Sequence, residues 1–234
     1  MRLDVYIKEK VGSRNKAQTL INDGKVLVNG KICRKSAYIV LEKDDVNVLE
    51  TEKYVGRGGY KLEAAINTFN IDLNGKICLD VGASTGGFTQ CMLFNNAQKI
   101  YAVDVGKGQL AKILLENPKV INLEQTDIRT LTLSEKIDFC SIDVSFISLT
   151  KILPAISKFD IKEVVTLVKP QFEAGRKNIG KNGIVKDEKV RKICIENIIA
   201  FASNLGYNIV DVINSPIKGG DGNVEFLLYL SAVG

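Results

Sequence analysis

The 234-residue chain contains no histidine. That absence excludes a Ser-His-Asp triad, histidine metal ligands and a histidine general base, so any proton abstraction must fall to Lys, Asp, Glu, Tyr or Cys. The chain also lacks an apolar run approaching the roughly 18 residues needed to cross a bilayer, and its opening Met1-Arg-Leu-Asp-Val5 has no apolar signal core. A cytoplasmic protein with no membrane partner is expected. The five cysteines are odd in number, widely spaced and mostly within apolar segments, which reads as reduced packing residues with neither disulfide nor metal. Acidic residues are scarce at one end only. Residues 1–40 hold nine Lys and Arg against three Asp and Glu, whereas the remainder holds 23 against 24. Such a local excess is what a phosphate-binding surface requires.

What is present centres on Lys76-Ile-Cys-Leu-Asp80-Val-Gly82-Ala83-Ser84-Thr-Gly86-Gly87-Phe88. An apolar run suited to a buried strand feeds a glycine-rich turn and then a helix, the outline of a nucleotide-cofactor site. The glycines match neither the dinucleotide fingerprint nor a phosphate-cradling loop. An acid beside the loop, Asp80, would repel a pyrophosphate but hold an ammonium, which favours S-adenosylmethionine. A second acid, Asp104, closes the run from Lys99 about twenty residues on, where a carboxylate takes ribose hydroxyls. Asp127, after the run Val120 to Leu123, is placed to accept from an adenine amino group.

At the start of the chain, Leu3, Ile7 and Val11 recur at helical spacing, Ser13 caps a second helix that Gly24 ends, and Asn29-Gly30 signals a hairpin. With Arg2-Leu-Asp4, Ser13-Arg-x-x-Ala17 and Asp45-x-Asn-Val48, the segment resembles the S4 RNA-binding domain. The resemblance implies recognition of structured RNA, and the local excess of basic residues makes Arg2, Arg14, Lys16, Arg34 and Lys35 the expected phosphate contacts. Glu50 to Tyr60, with Gly56-Arg-Gly-Gly59, reads as a linker. The expected domains are 1–53, a linker 54–60, and 61–234.

Beyond the linker, strands and helices alternate: strands at 99–104, 120–123, 139–143, 163–168, 208–215 and 224–231, helices at 61–69, 109–117, 151–158 and 187–205. Alternation argues for an α/β fold with a parallel sheet covered on both faces. In such sheets ligands bind past the carboxyl ends of the strands. Charged residues there, Asp143, Lys169 and Glu225, together with Lys61 make an acid–base set. The loop from Gly175 to Lys181 is expected to close over a substrate.

The motifs Arg57-Gly-Gly-Tyr-Lys61-Leu-Glu, Asp80-Val-Gly-Ala-Ser-Thr-Gly-Gly-Phe88, Ile142-Asp143-Val-Ser-Phe146-Ile-Ser-Leu149 and Val168-Lys169-Pro-Gln-Phe172-Glu resemble the TlyA/hemolysin A family over nearly the whole chain. The resemblance implies a Rossmann-like class I S-adenosylmethionine-dependent methyltransferase of FtsJ-like type behind an α/β S4 domain. It implies 2'-O-methylation of cytidines in ribosomal RNA, with large-subunit 23S rRNA the first expectation and 16S a second, and with ribosomal RNA or subunits as partner and no obligatory protein partner. It also implies a Lys-Asp-Lys-Glu tetrad at Lys61, Asp143, Lys169 and Glu225, needing no metal. Lys169 is the expected base, Lys61 and Asp143 position the hydroxyl and methyl, and Glu225 orients lysine and ribose. The alternatives are a catalytically idle RNA-binding assembly factor and a pore-forming hemolysin, the latter without the signal peptide or spanning segment it needs.

Overall fold

The computed structural model describes residues 1–49, 53–180 and 182–232. The chain separates into two units, Met1–Lys53 and Tyr54–Gly234. Glu50 and Glu52 of the expected linker, and Lys181 of the expected closing loop, lie outside the described residues.

In the first unit the apolar stripe Leu3, Ile7, Val11 is carried by two short helices, α1 (Leu3–Tyr6) and α2 (Lys8–Val11), with Ile7 between them. Their core partners come from α3 (Arg14–Asn22) and from β1 (Val26–Val28) and β3 (Val46–Val48). Ser13 caps α3 by accepting from the Lys16 backbone N–H at 3.2 Å. β1 and β2 (Lys31–Ile32) form the expected hairpin: Val28 pairs with Lys31 across Asn29 and Gly30, whose φ angles are 53° and 77°. Both turn positions require the left-handed region, which Asn and Gly reach at least cost.

The second unit begins with α4 (Gly58–Phe69), β4 (Ile77–Val81), α5 (Gly87–Phe94), β5 (Lys99–Val103), α6 (Lys112–Leu115), β6 (Val120–Leu123), β7 (Phe139–Ile142) and α7 (Leu153–Ile156). β8 (Glu163–Val168), α8 (Pro170–Glu173), α9 (Glu188–Asn204), β9 (Tyr207–Asn214) and β10 (Phe226–Ala232) complete it. The seven-stranded sheet runs β6-β5-β4-β7-β8-β10-β9. Alternate residues of its central strands feed two different cores. Leu79, Cys140 and Val164 pack with Leu153, Ile198 and Ala202 on one face. Cys78, Phe139 and Val165 pack with Leu62, Cys91 and Met92 on the other. Burial on both faces explains why these strands read as continuous apolar runs.

Three expectations are corrected. The sheet is mixed, because no helix separates β9 from β10; β10 therefore returns antiparallel and inserts between β8 and β9. The helices expected at 109–117 and 151–158 shrink to α6 and to α7 flanked by 3-10 turns, where Pro154 sits at the start of α7. Residues 54–60 are no free linker. Tyr54 is buried in the core with its hydroxyl 3.6 Å from Cys91 Sγ, the Val55 N–H donates to Gln90 Oε1 at 2.6 Å, and α4 begins at Gly58. A side chain at Gly59 would collide with the Tyr54 ring, so the glycines of this stretch admit close packing where the sequence suggested flexibility.

Candidate active site

The sheet order reverses between β4 and β7, and the carboxyl ends of β4, β5 and β7 open there into a crevice, the usual ligand position in open α/β sheets. A cavity of about 520 Å³ occupies it, lined by Gly82, Ser84, Asp104, Asp127 and Asp143 and walled by Val103, Val105 and Ile128. Gly82 has φ 84°, and a Cβ there would lie 2.4 Å from the Asp143 carbonyl oxygen. Only glycine lets the turn after β4 pass this close to the end of β7. Asp104 is fixed by two backbone donors, Ser84 N–H to Oδ2 at 2.8 Å and Gly106 N–H to Oδ1 at 2.7 Å. Each oxygen keeps a lone pair for a ligand hydroxyl. Asp127 is gripped by the Arg129 side chain, Nε to Oδ1 at 3.0 Å and Nη2 to Oδ2 at 2.5 Å, which holds its carboxyl below the usual range.

Several residues expected at the cofactor face elsewhere. Asp80 is fully buried and its two oxygens accept from Thr89 Oγ1 at 2.6 Å and Ser141 Oγ at 2.9 Å. It ties β4 to α5 and β7 and does not line the cavity. Burial pushes its carboxyl up to about 6. A Cβ on Gly86 would meet Leu114 and Leu110, Gly87 abuts the backbone of Gly56 and Gly59, and Ala83 and Phe88 are core residues. These positions serve packing of the loop, which a glycine pattern does not distinguish from ligand contact. Asp80→Asn should therefore bind cofactor within a few-fold of the parent. The raised folded value means the parent loses stability as pH rises from 3.8 through about 6, whereas asparagine has no charge to bury. The thermal midpoint of the variant should accordingly gain on the parent across that window. A cofactor affinity weakened by roughly 10-fold or more would restore Asp80 to the binding site.

The acid–base set is arranged as two ion pairs. Lys61 of α4 places Nζ 2.6 Å from Glu225 Oε2, with both side chains buried, and Glu225 Oε1 accepts from Gln171 Nε2 at 3.0 Å. Lys169, at the end of β8, places Nζ 2.6 Å from Asp143 Oδ1 and donates to Ser145 Oγ at 2.9 Å. The Asp143 contact is an ion pair whose angles depart from a hydrogen bond. Burying either lysine alone would leave an uncompensated charge costing several kcal/mol, roughly 3 to 5. Each lysine is matched to a carboxylate. Gln171 lies two residues past Lys169, and Gly58, at the start of the helix carrying Lys61, lies with its Cβ direction 3.9 Å from Asp143 Oδ2. The two pairs thus share one neighbourhood.

Ser145, Phe146, Gln171 and Arg129 belong to this neighbourhood, yet sequence reading assigned them no role. Three of the four stand two or three residues past a strand-end charge already singled out, and that adjacency was the available signal. Phe146 is 92% exposed at the cavity wall with φ 65°, its ring 5.2 Å from that of Phe172. A bulky residue in the left-handed region costs about 1–3 kcal/mol, and such outliers cluster at ligand sites.

In the first unit, Asp4 is fully buried and accepts from Arg2 Nε at 3.0 Å, Arg14 Nε at 3.0 Å and Gln18 Nε2 at 2.9 Å. The Arg2 guanidinium contributes most to holding its carboxyl far below the usual range. Arg34 donates to the Asn22 carbonyl at the end of α3. Three of the five expected RNA contacts thus have structural partners. Arg2 and Arg14 remain about half exposed, and Lys16 and Lys35 are exposed without an ion pair among the described residues.

The fold and its crevice define a Rossmann-like methyltransferase. Residues 54–232 match the FtsJ-like methyltransferase family and residues 1–46 the S4 domain. The chain belongs to the FtsJ-like methyltransferase family, in the TlyA/hemolysin A group that carries an N-terminal S4 domain. It is 38% identical over 250 residues to the 23S rRNA (cytidine-2'-O)-methyltransferase TlyA of Campylobacter jejuni, covering 98% of each chain. It is 40% identical over 225 residues to the 16S/23S rRNA (cytidine-2'-O)-methyltransferase TlyA of Mycobacterium tuberculosis, covering 93% of this chain and 84% of that one. Among solved structures, a Streptococcus thermophilus protein provisionally described as a hemolysin superimposes with a TM-score of 0.77 at 40% identity, covering 100% of this chain and 88% of that one. No helix among the described residues is long and apolar enough to cross a membrane.

Proposed function

We propose that this protein methylates a cytidine ribose 2'-hydroxyl in ribosomal RNA, using S-adenosylmethionine, in the cytoplasm where ribosomal subunits mature. The substrate proposed first is 23S rRNA, which both named relatives share, and 16S rRNA is the second. The observation that carries the reading is the pair of buried lysine–carboxylate contacts beside a crevice suited to an adenosyl group. The crevice fits that cofactor: Asp104 would offer acceptors to a ribose diol, Asp127 would accept from an adenine amino group, Val103, Val105 and Ile128 present apolar surface, and Gly82 and Ser84 would bring backbone to the ligand. Bound there, S-adenosylmethionine supplies an electrophilic methyl group.

The protein's own task is to place and deprotonate a poor nucleophile. Once its ammonium has given a proton to solvent, Lys169 would accept the 2'-hydroxyl proton on Nζ, leaving the ribose oxygen as the nucleophile for the methyl group that the cofactor would supply. Asp143 holds Lys169 and then balances the ammonium that forms. Lys61, steered by Glu225 and Gln171, contacts the ribose and keeps the hydroxyl in line. The Phe146 ring offers a surface on which a base taken out of its stack can lie. Incubating the protein with unmethylated ribosomal subunits and methyl-labelled cofactor should transfer label to RNA. Transfer to protein alone, or none with cofactor bound, would contradict the reading.

The N-terminal unit is the proposed RNA anchor. Replacing Arg14 would remove one of the donors to the buried Asp4 carboxylate and so mix a structural effect with any RNA effect; the informative variant is Lys16→Ala with Lys35→Ala. It should weaken RNA binding and reduce the slope of log affinity against log salt by roughly 0.7 to 0.9 for each phosphate that is no longer neutralised. Filter binding across a salt series measures this, and an unchanged slope would remove both lysines from the interface.

A further inference from the structure

We propose that Ser145 is a positioning residue for the transfer: it takes one N–H of Lys169 so that, with Asp143 alongside, the amine's lone pair is left for the incoming ribose hydroxyl. The proposal rests on the methyl-transfer reading above and concerns how the base is aimed. A neutral amine has two N–H bonds and one lone pair. In the structure Lys169 Nζ has two oxygens in reach, Asp143 Oδ1 at 2.6 Å and Ser145 Oγ at 2.9 Å. Ser145 accepts one N–H along a hydrogen bond, while Asp143 Oδ1, off the hydrogen-bond angles, holds the nitrogen in place by charge; of the two directions left on a neutral amine, one is the lone pair. A lysine stem has four rotatable bonds, so a single partner would leave the nitrogen free to turn about that contact.

Ser145 is itself held. The loop that carries it continues to Ser148 and Leu149, whose Oγ and backbone N–H donate to Glu173 at 2.6 Å and 2.9 Å. Glu173 ends α8, the helix that begins immediately after Lys169. Hydroxyl and amine therefore sit on two segments tied together a few residues away. The chemistry of the partner also matters. A second carboxylate in place of Ser145 would favour the charged amine, which has no lone pair, whereas a hydroxyl orients the nitrogen without adding charge. The proton balance is that given above: the hydroxyl proton passes to Nζ, and Ser145 neither gains nor loses one.

The test is a double-mutant cycle on the full chain with Ser145→Ala, Lys169→Ala and both together, following labelled methyl transfer to ribosomal subunits, with cofactor affinity measured by calorimetry. Ser145→Ala should lower kcat about ten-fold, with KM for RNA and cofactor affinity within about two-fold, and Ser145→Thr should recover most of the loss. In the Lys169→Ala background Ser145→Ala should cost nothing further, because there is no amine left to aim. Equal losses in both backgrounds, a ten-fold fall in cofactor affinity, or no recovery with threonine would each overturn the proposal while leaving the enzyme reading intact. Undiminished transfer by Lys169→Ala, or none by the parent, would instead overturn that reading and the proposal with it.

Discussion

Lys169→Ala should slow methyl transfer by roughly 10² or more while cofactor affinity stays within a few-fold. The side chain makes its polar contacts with Asp143 and Ser145 and does not line the cofactor cavity, so its removal takes away a proton acceptor and little binding surface. Without histidine, and with Lys61 committed to Glu225, few groups beside the crevice can take a proton in its place. Stopped time courses with labelled cofactor give the rate and calorimetry gives the affinity. A parent-like rate would end the assignment of Lys169 as base. A large loss of cofactor binding would show instead that the Asp143 charge, left unpaired, disturbs the cavity wall.

Gly82→Ala should be the most damaging single-carbon change in the second unit. The residue has φ 84°, a region that costs an alanine about 1–2 kcal/mol, and the added Cβ would lie 2.4 Å from the Asp143 carbonyl oxygen and 2.9 Å from its carbon. These are backbone atoms and cannot swing aside, so β4 and β7 must separate where Asp143 leaves the sheet. Overpacking of this kind costs a further 1–3 kcal/mol or so. The expected outcome is a thermal midpoint lowered by several degrees and the loss of both cofactor binding and transfer. Gly206→Ala has a similar positive φ of 89° but no atom within 4 Å, and serves as the control for backbone strain alone. Equal effects at the two positions would mean that the approach of Asp143 to Gly82 is unimportant.

Much of the architecture was legible because local pattern and burial agree. The alternation of apolar runs with helices located β4, β5, β6, β7 and β8 closely, and the left-handed demand at Asn29-Gly30 located the first hairpin. Asp104 was legible: it stands one residue past β5, beyond the reach of the sheet's two faces, and lines the crevice. Asp80 was not. Asp80 lies inside β4, so its side chain leaves a face of the sheet, and Thr89 and Ser141, 9 and 61 residues away, hold it there. Arg14 poses the same problem, since its partner Asp4 lies on another helix. The order of β9 and β10 depends on a connection without a helix, where apolar pattern gives no direction. Residues 54–60 misled because glycine marks both flexible chain and close packing, and only the Tyr54 ring tells them apart.

The reading as a whole stands on where the methyl group goes. Subunits carrying unmethylated rRNA should be treated with the protein and methyl-labelled S-adenosylmethionine, the RNA digested to nucleosides, and the labelled product identified by chromatography and mass. The proposed function predicts label on the ribose of cytidine, as 2'-O-methylcytidine, in 23S rRNA, the four charged residues arguing for the ribose and the relatives' activity for cytidine and 23S. Label on a base carbon or nitrogen, or no label while the cofactor binds and RNA is held, would contradict it.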